Sequence, residues 1–134
     1  MPRSSWSVSV ALCCLPFYGC ATDEDYRKVF RDQHSAWLEM TEVLSTVRDE
    51  KSMAEAKVKL DASFDKFEAI SKRAKALPAP SKEIKQQLEK EREYLEQATT
   101  NLLREVGRIR KMPGGPGFLS QFEARHPGLM GAAR

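Results

Sequence analysis

The chain is predicted to be all-α: an elongated antiparallel three-helix bundle with coiled-coil-like seams, preceded by an N-terminal signal segment. Three observations predict it. Apolar residues recur at steps of three and four over three separate stretches, the spacing of one helical face. The phase of that pattern breaks between the first stretch and the second. Pro and Gly then punctuate the chain between the second and third stretches and again after the third. These breaks divide the sequence into a signal segment at 1–20, a bundle at 21–112 and a flexible Gly/Pro-rich tail at 113–134. The three helices are expected at about 23–49, 52–77 and 81–112.

The first stripe is Tyr26, Phe30, Trp37, Met40, Leu44 and Val47, with Gln33 in the gap. Asp23, Glu24 and Asp25 open it with the negative charge that suits a helix N-terminus. No Gly or Pro separates Gly19 from Pro78, so one long helix is conceivable. The phase excludes it. Extending the first stripe predicts core positions at Lys51, Ala54, Val58, Asp61 and Asp65, whereas the apolar set is Met53, Ala56, Leu60, Phe67, Ile70, Ala74 and Leu77. That two-residue shift rotates the stripe by about 200°. A reversal near Asp49–Ser52 accounts for it, with Ser52 and Glu55 read as a capping box. Pro78 and Pro80 end the second helix, and Ser81 is placed to cap the third. The third stripe is Ile84, Leu88, Leu95, Ala98, Leu102, Val106 and Ile109. The run from Pro113 to Gly117 stops that helix, leaving Phe118, Leu119 and Phe122 as a short apolar cluster in the tail. Phe64, Val58 and Leu103 fall outside the narrow seams and suggest a further apolar face for homo-oligomerisation.

Composition narrows function by exclusion. The 134 residues are 41% hydrophobic and 31% charged, apolar enough for a core. Their 22 basic and 19 acidic groups leave a net charge of only +3, which does not mark a nucleic-acid partner. By segment the balance is −3 over 23–51, +2 over 52–77 and +2 over 81–112, an acidic first helix facing two basic ones. His34 and His126 are the two histidines, and no metal-ligand spacing, P-loop or nucleophile motif occurs. No catalytic residue, metal site or cofactor is expected, and the chain is read as not an enzyme. Glu89, Glu93 and Glu96 alternate with Lys85, Lys90 and Arg92 on a solvated face, and Glu91 alone enters the third stripe. Arg104, Arg108, Arg110 and Lys111 crowd the end of the third helix, where they complement its dipole and offer a contact for anionic headgroups or an acidic partner.

The N-terminus reads as an address. Arg3 is the only charge before Asp23, and the apolar run from Trp6 to Tyr18 covers 13 residues. A membrane-spanning helix needs about 20, so a secretory signal fits better. All three cysteines, Cys13, Cys14 and Cys20, fall within this segment, so the fold is expected to hold by packing without disulfides. Phe17, Tyr18, Gly19 and Cys20 resemble the lipobox of bacterial lipoproteins, with Gly19 and Cys20 carrying the match. That resemblance implies lipidation at Cys20 and a palmitate-bearing membrane anchor. Ala21, next in line, is similar to the residues that permit outer-membrane sorting. The alternative is ordinary signal-peptidase cleavage after Ala21, on the small residues Gly19 and Ala21.

The arrangement looks like that of small helical bacterial lipoproteins. Pro78, Pro80 and the terminal Arg134 separate it from the single long helix of the murein-linked lipoprotein. The expected function is therefore that of a non-catalytic cell-envelope lipoprotein facing the periplasm. It would act by contact with another envelope protein as scaffold, adaptor or chaperone-like binder. The alternative is a soluble secreted bundle holding a small apolar or anionic ligand.

Overall fold

The computed structural model describes residues 21–127 and is all-helical over them. The signal segment and Cys20 lie outside the described residues. Five helices stand where three are expected: α1 at Asp23–Ser45, α2 at Glu50–Ala76, α3 at Lys82–Gln87, α4 at Glu89–Arg110 and α5 at Gly115–Glu123.

Each boundary has a local cause. Thr22 and Asp25 form a reciprocal capping box at the start of α1. The hydroxyls of Ser45 and Thr46 donate to the carbonyls of Glu42 and Val43, ending α1 four residues earlier than expected. The second helix begins two residues earlier than expected, at Glu50, and its cap lies three residues before Ser52. Its cap is Asp49, whose carboxylate accepts from the Ser52 amide at 2.8 Å, while the Ser52 hydroxyl accepts from the amides of Arg48 and Asp49. Ser52 thus has the returning role in the box and Asp49 the capping one. Ser81 caps α3 by accepting from the Ile84 amide. The third predicted helix is interrupted at Leu88, whose ψ of 5° departs from helical values. Its backbone still donates to Ile84 and accepts from Arg92, so α3 leads into α4 across a single irregular residue.

Contacts fix the directions. Glu39 meets Lys66, Asp32 meets Arg73, and the Tyr26 hydroxyl donates to the Pro78 carbonyl at 2.7 Å, so α2 runs antiparallel to α1. Arg27 pairs with Glu91, and Arg108 reaches Leu44 and Val47, so α4 runs parallel to α1. The helix α1 packs against both α2 and α4.

The largest departure from expectation is the tail. Residues 115–123 form α5, and Phe118, Leu119 and Phe122 are buried with the main core. Gly114 turns the chain at a φ of +73°, and a Cβ on Gly115 would fall 1.8 Å from the Ile109 carbonyl oxygen. Glycine at these two positions permits a tight reversal after α4. Pro116 then occupies the first turn of a new helix, where its missing N–H does no harm. Phe122 stacks on Phe64 of α2 with ring centroids 5.2 Å apart. Phe64, expected to widen an external apolar face, is therefore only 1% exposed. Val58 remains outside at 72%.

The main core runs from Trp37 to Phe122 through α1, α2, α4 and α5. A smaller cluster of Val29, Ala36 and Ile70 lies toward the start of α1, edged by half-buried Phe67, Ala74 and Leu77. Trp37 and Phe67 stack at 4.2 Å near the junction of the two clusters.

Candidate functional site

Between α1 and α2 runs a shallow surface groove of about 420 Å³, floored by Ala36 and Ile70. Two ion pairs bridge it, Glu39 with Lys66 at 2.9 Å and Asp32 with Arg73 at 2.6 Å. Lys66 holds the Glu39 carboxyl below its ordinary pKa by hydrogen bonding. The groove is bordered by charges of both signs that already meet each other, which suits a solvated helix–helix seam.

The four cations singled out at the end of the third predicted helix do not form one surface. Arg104 and Lys111 are exposed. Arg108 turns inward: its guanidinium donates to the carbonyls of Leu44 at 2.8 Å and Val47 at 2.9 Å, and it pairs with Glu105 at 2.8 Å. It thereby satisfies carbonyls at the end of α1, a helix with no basic residue in its own last turn. Arg110 faces the other way and pairs with Glu123 of α5 at 3.3 Å. The 3.6-residue period separates neighbours in sequence onto different faces.

A second charged cluster was missed in the sequence because its partners are sixty residues apart. Arg125, just beyond α5, reaches Asp65 at 2.6 Å and Glu68 at 2.8 Å on α2, with Asp61 at 3.7 Å. Its guanidinium also lies 5.6 Å from the Phe64 ring centroid. The hydrogen bonds to Asp65 and Glu68 raise the already high pKa of Arg125. His126 stacks on Phe64 at 5.0 Å and meets Phe67 edge-on at 5.2 Å. Its Nε2 is buried without a hydrogen-bond partner, and burial pushes its pKa below the ordinary value. Arg125 and His126 therefore clasp the end of α5 onto α2. The acidic spacing Asp61, Asp65, Glu68 along one face of α2 is the signal that could have located this contact.

The remaining histidine and the acids of α4 have plain places. His34 is half-buried, its ring 6.4 Å from that of Tyr94. Glu91 pairs with Arg27, and Glu89 and Glu96 pair with Arg92. Among the described residues no three His, Cys, Asp or Glu side chains gather as a metal site would require, and no helix is long and apolar enough to cross a membrane.

At the opposite end, where α1 begins, exposed lysines collect around the α2–α3 connection. Lys72 and Lys75 end α2, and Lys82 and Lys85 lie on α3. No carboxylate of the described residues pairs with any of them. Comparison with protein-family models, with curated proteins and with solved structures found no match to this chain.

Proposed function

We propose that the protein is a non-catalytic cell-envelope lipoprotein, anchored through Cys20 and acting by contact with another envelope protein. The single observation that carries this reading is the junction of address and fold. The apolar run ends at Tyr18, Gly19 and Cys20 follow it, and the capping box of α1 begins at Thr22, two residues after Cys20. An anchor at Cys20 would hold the helices against the membrane with almost no linker between them.

The architecture is read as an elongated antiparallel three-helix bundle, formed by α1, α2 and the α3–α4 pair, with α5 added across one end. Two features support a role in contact. All three cysteines lie in the segment before α1, so the folded part would rely on packing. Leu38 and Tyr94 are also large apolar side chains left substantially exposed on α1 and α4, at 47% and 60%. The groove between α1 and α2 is open rather than enclosing, which favours contact over capture of a small ligand.

The test is metabolic labelling with palmitate in a bacterial host. Label on the wild-type chain, lost in Cys20→Ala together with retention in the membrane fraction, is the expected result. A mature chain that carries no acyl group and begins at Thr22 overturns the anchor in favour of a soluble secreted bundle.

A further inference from the structure

We propose that the end of the molecule where α1 begins is a face that lies against an anionic phospholipid surface, through Lys72, Lys75, Lys82 and Lys85. The inference rests on the reading of Cys20 as the membrane anchor and assigns the surface that the anchor presses down.

Position comes first. The Tyr26–Pro78 hydrogen bond sets the end of α2 level with the first turns of α1. The Arg27–Glu91 pair sets the start of α4 at the same level. Because α4 runs parallel to α1, α3 lies toward the point where the chain arrives from Cys20. The α2–α3 connection and α3 thus share one end of the molecule with that entry point.

Charge comes second. Residues 71–87 hold five basic residues and one acid, Glu83. Arg73 is engaged by Asp32, while the four lysines are exposed without carboxylate partners among the described residues. The three acids at the start of α1 stay charged but are matched in number by Arg27, Lys28 and Arg31, with Asp23 paired to Arg27 and Glu24 to Arg31. The far end shows no such excess. There the exposed acids Glu42, Asp49, Glu50 and Glu55 stand among Arg48, Lys51 and Lys111. A lysine beside an anionic bilayer strengthens attachment about fivefold, so four on one tethered end would orient the molecule. The expected contact at Arg104, Arg108, Arg110 and Lys111 lies at the wrong end for this role, and Arg108 and Arg110 are engaged within the fold.

The experiment uses the mature chain purified from expressing cells, its intact mass recording whether Cys20 is acylated. It is mixed with vesicles of phosphatidylcholine alone, or of phosphatidylcholine with phosphatidylglycerol. A water-soluble amine reagent then reads each lysine by peptide mass spectrometry. The expected result is labelling of Lys72, Lys75, Lys82 and Lys85 slowed several-fold on the anionic vesicles only, with Lys51, Lys59 and Lys111 unchanged. Equal labelling at both ends on anionic vesicles overturns the proposal, and so does protection that is the same on neutral ones. Charge-dependent protection of an unacylated chain would overturn the anchor and leave the basic face standing. An acylated chain without that protection would do the reverse.

Discussion

The two ends of the molecule are built differently. Where α1 ends, α5 packs against α4 and stacks on α2, and the core there is nearly dry: Val47, Val106, Ile109, Leu119 and Phe122 are at most 1% exposed. Where α1 begins, no such helix is added. Its cluster of Val29, Ala36 and Ile70 is 4–8% exposed and is edged by half-buried side chains. The polar groups follow the same division. At the closed end Arg108 and Arg125 bond across helices into carbonyls and carboxylates, whereas at the open end lysines stand in solvent. The added helix covers Phe64 at the closed end, whereas at the open end Tyr26 is buried against the α2–α3 connection. That leaves one end suited to holding the fold together and the other suited to touching something else.

The comparison is broken most severely at Phe122. Phe122→Ala removes a fully buried ring between α2 and α4, and should cost about 3–5 kcal/mol in urea unfolding of the chain. Val29→Ala at the open end should cost only about 1.5 kcal/mol. Equal losses would deny the difference between the ends. Next is Arg108→Met, which keeps the aliphatic stem but removes the charged donor from two carbonyls, leaving Leu44 only the Val47 amide and Val47 only the Arg48 guanidinium. A loss of about 1–3 kcal/mol is expected by the same measurement.

A smaller effect is expected from pH. Burial lowers the folded-state pKa of His126 below its unfolded value of about 6.5, so the unfolded chain takes up the proton first on acidification. Stability should therefore be level above about pH 6.5 and fall as pH drops through it toward the folded pKa. His126→Gln should flatten that part of the profile; an unchanged slope would place its origin elsewhere. The smallest change is expected in the α1–α2 groove. Lys66→Ala breaks a solvent-exposed pair with Glu39 and should cost about 0–1 kcal/mol, less as salt is added.

Much of this was legible in the sequence, and the exceptions share physical causes. Helical periodicity located α1, α2 and α4, because a stripe such as Met40, Leu44 and Val47 must be buried whatever its partner is. It did not locate α5, because the Pro113–Gly117 run reads as a stop when it is also a start. A left-handed Gly114 and a Pro in the first turn serve a tight helix-to-helix reversal. Missing α5 left Phe64 without a partner and made it look external. The cap of α2 moved for a local reason, since Asp49 and Ser52 can exchange roles in one box. Charge was the least legible. Arg108 and Arg110 are near neighbours in sequence and face different helices, whereas Lys75 and Lys82 are separated by two prolines and come to the same end. A linear run shows how much charge there is; only the packing shows where it points.

The claim that one end is closed and the other open is tested most directly by native-state hydrogen exchange, read by mass spectrometry on the whole chain. Amides of α5 and of the adjoining parts of α1 and α4 should exchange slowest, together and near the rate set by global unfolding. Those of α3 and the first turns of α1 should exchange orders of magnitude faster. Fast exchange throughout 115–123, as a loose tail would give, with protection concentrated where α1 begins, would contradict it.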